Sequence, residues 1–243
     1  MPKLNPKVTV TMPAYNASKY INEAIKSVLT QDYNSFELLI LDDGSTDNTW
    51  DIIRQYRKDP RVRIYRNKKN SGGGAARNKT IRLARGKYIS FCDADDLMLP
   101  GNLKTLSKFL DNHQEIGMVY PRALVIKTDI NNKMLGSPYL RGQNPDKDWD
   151  LLKNTIGQGG AMVRKCIIIK AGGYDETSYY SPVDYGLWLR LAEIASIKYI
   201  DSNVYHIINI RTKRLESEDK RLYNAYKLHK ISQAIERRYG FKL

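Results

Sequence analysis

The chain reads as an α/β protein: a mostly parallel, Rossmann-like sheet flanked by helices, forming one domain with a helical extension at its C-terminal end. Three observations predict this. Short β-branched or aliphatic runs alternate with stretches of helical apolar periodicity through the first half of the sequence. Such alternation builds βαβ units with right-handed crossovers. Polar motifs also follow directly after the strands, where open parallel sheets bind their ligands.

The elements follow in order. Val8 to Met12 (VTVTM) is a β-branched run closed by Pro13, the first strand. Ser18 to Thr30 places Tyr20, Ile21, Ala24, Ile25, Val28 and Leu29 at helical spacing. Phe36 to Leu41 is the second strand, and DDGSTDNTWDIIRQY after it opens a second helix with Ser, Thr and Asp as caps. Val62 to Tyr65 is a short strand, Gly74 to Arg85 a helix, Tyr88 to Cys92 a strand and Leu103 to Asp111 a helix. Beyond about residue 117 the alternation breaks down. Met118 to Thr128 and Ala161 to Arg164 read as strands around a polar stretch from Asn131 to Asp148, and helix returns at Asp184 to Glu193. Glu216 to Arg238 is a charged helix with an apolar stripe at Leu228, Ile231, Ile235 and Tyr239. That stripe either docks on the domain or makes a basic amphipathic contact with a membrane surface.

A chain of 243 residues with 42% hydrophobic content can fill a sizeable core, which excludes disorder. It has no apolar stretch of spanning length, and its first residues lack a signal-peptide core, so a soluble, cytoplasmic protein is expected. Cys92 and Cys166 have neither disulfide nor zinc-site spacing. The sequons at Asn16 and Asn78 fall in segments assigned below to the ligand, and a glycan there would block it. The net charge of +14 calls for an anionic partner: a phosphorylated substrate, a membrane or nucleic acid. It is concentrated in two runs. Arg54 to Lys87 carries thirteen Lys or Arg against one acid, and Arg211 to Leu243 ten against four. A solvated face explains such runs as readily as a specific partner.

The sharpest motif is FCDADD. Asp93 and Asp95, at i and i+2 after a buried strand, point the same way and suit a hard divalent cation, Mn²⁺ or Mg²⁺, bridging a diphosphate. Acidic clusters in this position also form turns and caps. Gly72, Gly73 and Gly74 allow close backbone approach and open a helix whose N-terminal N–H groups favour anions.

MPAYN (Met12 to Asn16), LDDGSTD (Leu41 to Asp47), NSGGGAARN (Asn70 to Asn78) and DADD (Asp93 to Asp96), in this order and spacing, resemble the family 2 glycosyltransferases of the GT-A fold. GGYDE (Gly172 to Glu176) and VDYGLWLRL (Val183 to Leu191) resemble that family's acceptor-side segments, so the likeness covers nearly residues 7 to 200. It implies residues 1–210 as the catalytic domain, 1–100 binding nucleotide and 101–210 the acceptor, with 211–243 a basic helical extension.

The resemblance implies inverting, metal-dependent transfer of a hexosyl or N-acetylhexosaminyl group from a nucleotide-diphosphate sugar, a UDP-sugar above all. The acceptor would be a glycan or polyprenyl-linked hydroxyl, as in polysaccharide biosynthesis. Pro13, Ala14 and Tyr15 would line the nucleoside, with Asn16 there or capping the next helix. Asp43 would accept the imide N–H of uracil, unless it too is a helix cap. Gly74 and Arg77 would lie against the nucleotide. Asp95 would bind the metal, with Asp93 reaching the metal or the ribose, Ala94 beside them, and Asp96 meeting the donor sugar or capping a helix. Asp184 would be the general base.

The sequence departs from the family in two places. Val183 stands where a second acid is usual, and Ile208 where a histidine is expected, with His206 either a displaced substitute or a core histidine. Arg211, Lys213 and Arg214 are then candidates to neutralise the diphosphate. Trp149, Gln158, Gly159 and Trp188 are candidates for sugar selection. Two other classes compete: a nucleotide-sugar-binding protein without transferase activity, and a basic nucleic-acid-binding protein. Binding to polynucleotide that does not depend on Asp95 or Asp43 would favour the latter; the motifs favour no nucleic acid.

Overall fold

The computed structural model describes residues 5–128, 134–141, 156, 159–177, 183–200, 206–211, 229–234 and 236–237. β1 (Val8–Ala14), β2 (Phe36–Asp42), β3 (Val62–Arg66) and β4 (Tyr88–Phe91) form the parallel half of a seven-stranded sheet. Its register aligns Ala14 with Asp42 and Thr11 with Phe91, so the chain leaves three adjacent strands at one edge. The core strands are buried end to end: β2 has no exposed position, as expected of a parallel strand covered on both faces.

Helices α1 (Ile21–Leu29), α2 (Thr49–Ile53) with a 3-10 turn after it, α3 (Gly73–Leu83) and α4 (Asn102–Asn112) make the crossovers. Ile21, Ala24, Ile25 and Val28 of α1 lie in the main core, as their periodicity predicts. A two-residue strand, β5 (Leu97–Met98), follows the DADD motif.

The predicted strand from Met118 to Thr128 is two strands in different sheets. β6 (Ile116–Pro121) joins the main sheet, and β7 (Ala123–Thr128) turns into a second sheet of four. Pro121 has no N–H to donate, and the ladder ends there. The second sheet also holds β8 (Tyr139–Arg141), in the polar stretch where no strand was expected. β9 (Met162–Arg164) runs antiparallel between β4 and β6. Next come α5 (Lys165–Lys170), α6 (Val183–Ile194), β10 (Ser196–Ile200) on the far edge beside β6, and β11 (His206–Arg211) between β5 and β7.

Of the C-terminal segment, residues 229–234 are helical, and two ion pairs hold it down: Lys230 to Asp175 at 2.7 Å and Arg237 to Glu193 at 2.9 Å. The described cations of this helix thus face the domain, which supports the docking alternative. Leu228, Ile235 and Tyr239 lie outside the described residues. No helix among the described residues is long and apolar enough to cross a membrane.

Buried Arg164 closes the lower end of α4. Its guanidinium donates to the carbonyls of Leu110, His113 and Ile116 at 2.6–2.9 Å, using up orphan acceptors at the helix end. Replacing it with Met leaves those carbonyls unpaired and should cost on the order of 3 kcal/mol, read from urea unfolding. Burial raises the Asp111 pKa, but hydrogen bonds from Lys7 and Tyr88 outweigh it and hold the carboxyl below its usual 3.8. Its contribution to stability is therefore complete above that value and is lost as pH falls through the folded pKa. Wild type should exceed Asp111→Asn in stability at neutral pH, with the gap closing below about pH 3.8 in acid-unfolding curves.

Candidate active site

The loops after β1, β2 and β4 leave the carboxyl edge of the sheet, and hydrogen bonds knit the first two together. The Asp43 N–H donates to the Ala14 carbonyl at 2.8 Å, continuing the strand pairing one step past the sheet. The Asn16 carboxamide accepts from the Thr46 N–H at 2.9 Å, while the Ser45 hydroxyl accepts from the Asn16 N–H at 3.0 Å. Asn16 holds a left-handed conformation, φ 49°, which Asn tolerates better than most residues. Ala14 is buried under this lattice and Tyr15 is 48% exposed, an open aromatic face at the rim.

Asp43 does not cap a helix. Asp47, one residue before the N-cap Asn48, bonds the first helical residue instead, accepting from the Thr49 N–H at 3.0 Å and hydroxyl at 2.5 Å. Asp42 accepts from the Ser45 N–H and pairs with Arg66 at 2.9 Å. Asp43 is buried and held by its own donors: Asn67 Nδ2 at 2.6 Å and the Ser71 hydroxyl at 2.7 Å, both on Oδ1. The Ser71 N–H lies 3.1 Å from both oxygens, so Oδ2 keeps accepting capacity. Lys79 donates to the Asn67 carbonyl oxygen and fixes the amide with its NH₂ toward Asp43.

The second cluster forms where α3, the end of β4 and α6 meet. Arg77, one turn into α3, pairs with Asp93 at 2.7 Å, and its guanidinium lies 5.9 Å from the Tyr174 ring centroid. Burial disfavours the Arg77 cation, but the charges of Asp93, Tyr174 and Asp184 outweigh it and raise its pKa. Burial pushes the Tyr174 phenol well up; Arg77 pulls it down, and Asp184 and Asp93 push it up again. Four groups from four segments thus share one electrostatic field. Asp184 sits in the first turn of α6, where the helix dipole favours a carboxylate, and accepts from the Tyr185 N–H at 2.9 Å.

The DADD carboxylates divide. Asp93 and Asp95 are partly exposed, Ala94 is buried between them, and Asp96 is buried with its Oδ2 3.1 Å from His206 Nε2. His206 is fully enclosed on β11, opposite Met98. A Cβ on Gly159 would lie 2.3 Å from its ring and one on Gly160 2.8 Å from its Cβ. His206 therefore ties Asp96 to the second sheet, inside the protein. No group of three or more His, Cys, Asp or Glu forms a metal cage among the described residues. The partly exposed pair suits a cation held by one or two carboxylates that takes its remaining ligands from phosphate.

Two glycine positions serve the chain's own packing. A Cβ on Gly74 would come 2.1 Å from the Asp175 carbonyl, and one on Gly173 2.5 Å from Asn78 Oδ1. Asn78 locks this contact by accepting from the Tyr174 N–H at 2.8 Å and donating to its carbonyl at 2.9 Å. Trp188 is buried against Phe91, away from any rim. Trp149, Gln158, Lys213 and Arg214 lie outside the described residues, and Pro13 is partly buried at the end of β1. Sequence reasoning missed Asn67, Ser71, Asn78 and Tyr174. GGYDE pointed to the last, while single polar residues in a lysine-rich loop carry no spacing signal.

Residues 9–171 match the family described as Glycosyl transferase family 2. An uncharacterized glycosyltransferase of Methanocaldococcus jannaschii is 33% identical over 188 residues, 76% of this chain and 64% of the relative. The Escherichia coli UDP-Glc:alpha-D-GlcNAc-diphosphoundecaprenol beta-1,3-glucosyltransferase WfaP is 29% identical over 192 residues, 76% of this chain and 69% of that protein. Chondroitin synthase of Escherichia coli is 31% identical over 221 residues, 87% of this chain but 31% of the synthase. The chain thus spans less than two thirds of some of these relatives. The crystal structure of Staphylococcus aureus TarS 1-349 in complex with UDP-GlcNAc superposes with a TM-score of 0.69 at 22% identity, covering 97% of this chain and 73% of that one. The architecture is the GT-A fold.

Gly74→Ala should destabilise the protein by about 1–3 kcal/mol in thermal unfolding, because its methyl meets backbone. Gly73→Ala should be milder, since its nearest neighbour is a side-chain nitrogen of Arg77 at 3.0 Å rather than backbone.

Proposed function

The chain belongs to glycosyl transferase family 2, and from that premise we propose that it is an inverting, metal-dependent enzyme. It would move a hexosyl or N-acetylhexosaminyl group from a UDP-sugar to a hydroxyl of a glycan or lipid-linked acceptor. The observation that carries this reading is the placing of Arg77, Asp93 and Asp184 in one field beside the Asp43 and Tyr15 loops. The names of relatives support the donor and acceptor classes: WfaP uses UDP-Glc on a diphosphoundecaprenol-linked sugar, and TarS has been crystallised with UDP-GlcNAc.

Asp43 Oδ2 is set to accept the imide N–H of uracil, with Tyr15 stacked on the base and Pro13, Ala14 and Asn16 shaping the loop. Arg77 and the first N–H groups of α3 offset diphosphate charge. Asp95, with Asp93, would hold Mn²⁺ or Mg²⁺, which when bound supplies further neutralisation of the leaving group. Asp184 takes the proton of the acceptor hydroxyl as that oxygen bonds to the anomeric carbon. The bond to the diphosphate breaks on the opposite side, and a single displacement inverts the configuration. Asp96 acts indirectly, holding the turn that presents Asp93 and Asp95.

The test is turnover of a panel of UDP-sugars with oligosaccharide and polyprenyl-linked acceptors, with the product anomer read by NMR. An inverted product supports the proposal; a retained anomer contradicts it. Asp184→Asn should lower kcat by about 10²- to 10⁴-fold while leaving UDP affinity close to wild type.

A further inference from the structure

Six of the thirteen cations in the first basic run are neutralised within the fold. Arg54, Arg61, Arg63, Arg66, Arg77 and Arg82 each pair with an acid. Arg85 and Lys87 do not belong to that pattern. They precede β4, as Lys7 precedes β1 and Lys165 follows the antiparallel β9, so all four meet at the amino edge of the parallel strands. This is the end opposite the donor loops, roughly 20 Å away along β1. Diphosphate binding cannot account for charge placed there.

The four cations line a cavity of about 590 Å³ whose lip is Cys166 and Ile169 of α5, and no carboxylate lines it. Three of the head groups are held in place. Lys7 donates to Asp111 at 2.6 Å, Lys165 to the Ala84 carbonyl at 2.5 Å, and Lys87 sits 5.2 Å from the Tyr88 ring centroid. An ammonium has three donors, so one internal bond leaves others for a ligand. The Arg85 side chain has no partner among the described residues and is exposed. Ile169 is 58% exposed, on a helical turn flanked by Lys165 and Lys170, and Cys166 is exposed beside it. A cationic hollow roomy enough for a phosphorylated head group, with an apolar lip, matches an amphiphile: the charged group enters the hollow and the lip meets hydrocarbon.

We propose that this face docks on an anionic phospholipid surface, with Arg85, Lys87 and Lys165 receiving head-group phosphate and Ile169 entering the interface. The inference does not rest on the glycosyltransferase reading. It also moves membrane contact away from the C-terminal helix, whose described cations Lys230 and Arg237 are already paired with acids.

Flotation of the 243-residue chain with vesicles of phosphatidylcholine, alone or mixed with phosphatidylglycerol, tests it. The chain should float only with the mixed vesicles, and less so as salt rises. The double variant Arg85→Gln/Lys87→Gln should bind about thirtyfold more weakly, each cation near an anionic surface contributing roughly fivefold. Ile169→Ser should weaken binding further, while the thermal unfolding midpoint stays unchanged in all three proteins as a check on folding. Equal flotation with both vesicle types would overturn the proposal. So would full binding by the double variant, or saturation of the cavity by free glycerol phosphate in a chain that ignores vesicles.

Discussion

The contact between α3 and the 172–176 loop is the constraint on which the rest of the site depends. Gly74 lets the helix press against the Asp175 carbonyl, and the Asn78 carboxamide bonds both the N–H and the carbonyl of Tyr174. Both groups of the amide are buried and satisfied, so separating the two segments would leave backbone polar atoms unpaired. The same contact brings Tyr174 to Arg77, and Arg77 stands between Asp93 and the field of Asp184. Residues of α3, of the segment after β4, of the 172–176 loop and of α6 are thereby brought into one arrangement. Lys230 reinforces it from the C-terminal segment through Asp175, whose carboxyl is held well below its usual range: burial opposes this, and bonds from Lys230 and Thr177 prevail.

The first half of the fold was legible because it obeys local rules. The strands at Val8, Phe36 and Tyr88 are buried on both faces, and the β-branched and aromatic run at Val62 marks the half-exposed edge strand, so their composition announces them. The strand pair β6 and β7 read as one because the sequence stays apolar across Pro121 while the chain changes sheets. β5, β8 and β11 are short or mixed in composition, and pairing between distant segments selects them. Among the proposed site residues, the motifs pointed to Asp43, Arg77, Asp93, Asp95 and Asp184. The shell around Asp43 was not legible, because Asn67 and Ser71 meet it only through the fold of the β3–α3 loop, with Lys79 of α3 behind Asn67. His206 was legible as an oddity, but its partner Asp96 lies 110 positions away, a pairing no local pattern encodes.

Charge followed the same logic. A run of thirteen cations reads as one anion-binding surface, yet folding divides it: six arginines pair with acids, and Arg85 and Lys87 go to the opposite end of the sheet. Of the run's arginines, Arg77 enters the acidic cluster at the carboxyl edge, and its value there comes from burial next to Asp93 rather than from net charge. Sequence proximity of like charges therefore says little about which ligand they serve.

The claim that these loops form a metal-assisted uridine diphosphate site is tested most directly by calorimetry with UDP, GDP and ADP, with and without Mn²⁺. Wild type and Asp95→Ala should be compared. Binding of UDP alone, strengthened by Mn²⁺ and weakened in the variant only when Mn²⁺ is present, is the predicted result. Equal affinity for all three nucleotides, or UDP binding that responds neither to Mn²⁺ nor to loss of Asp95, would contradict it.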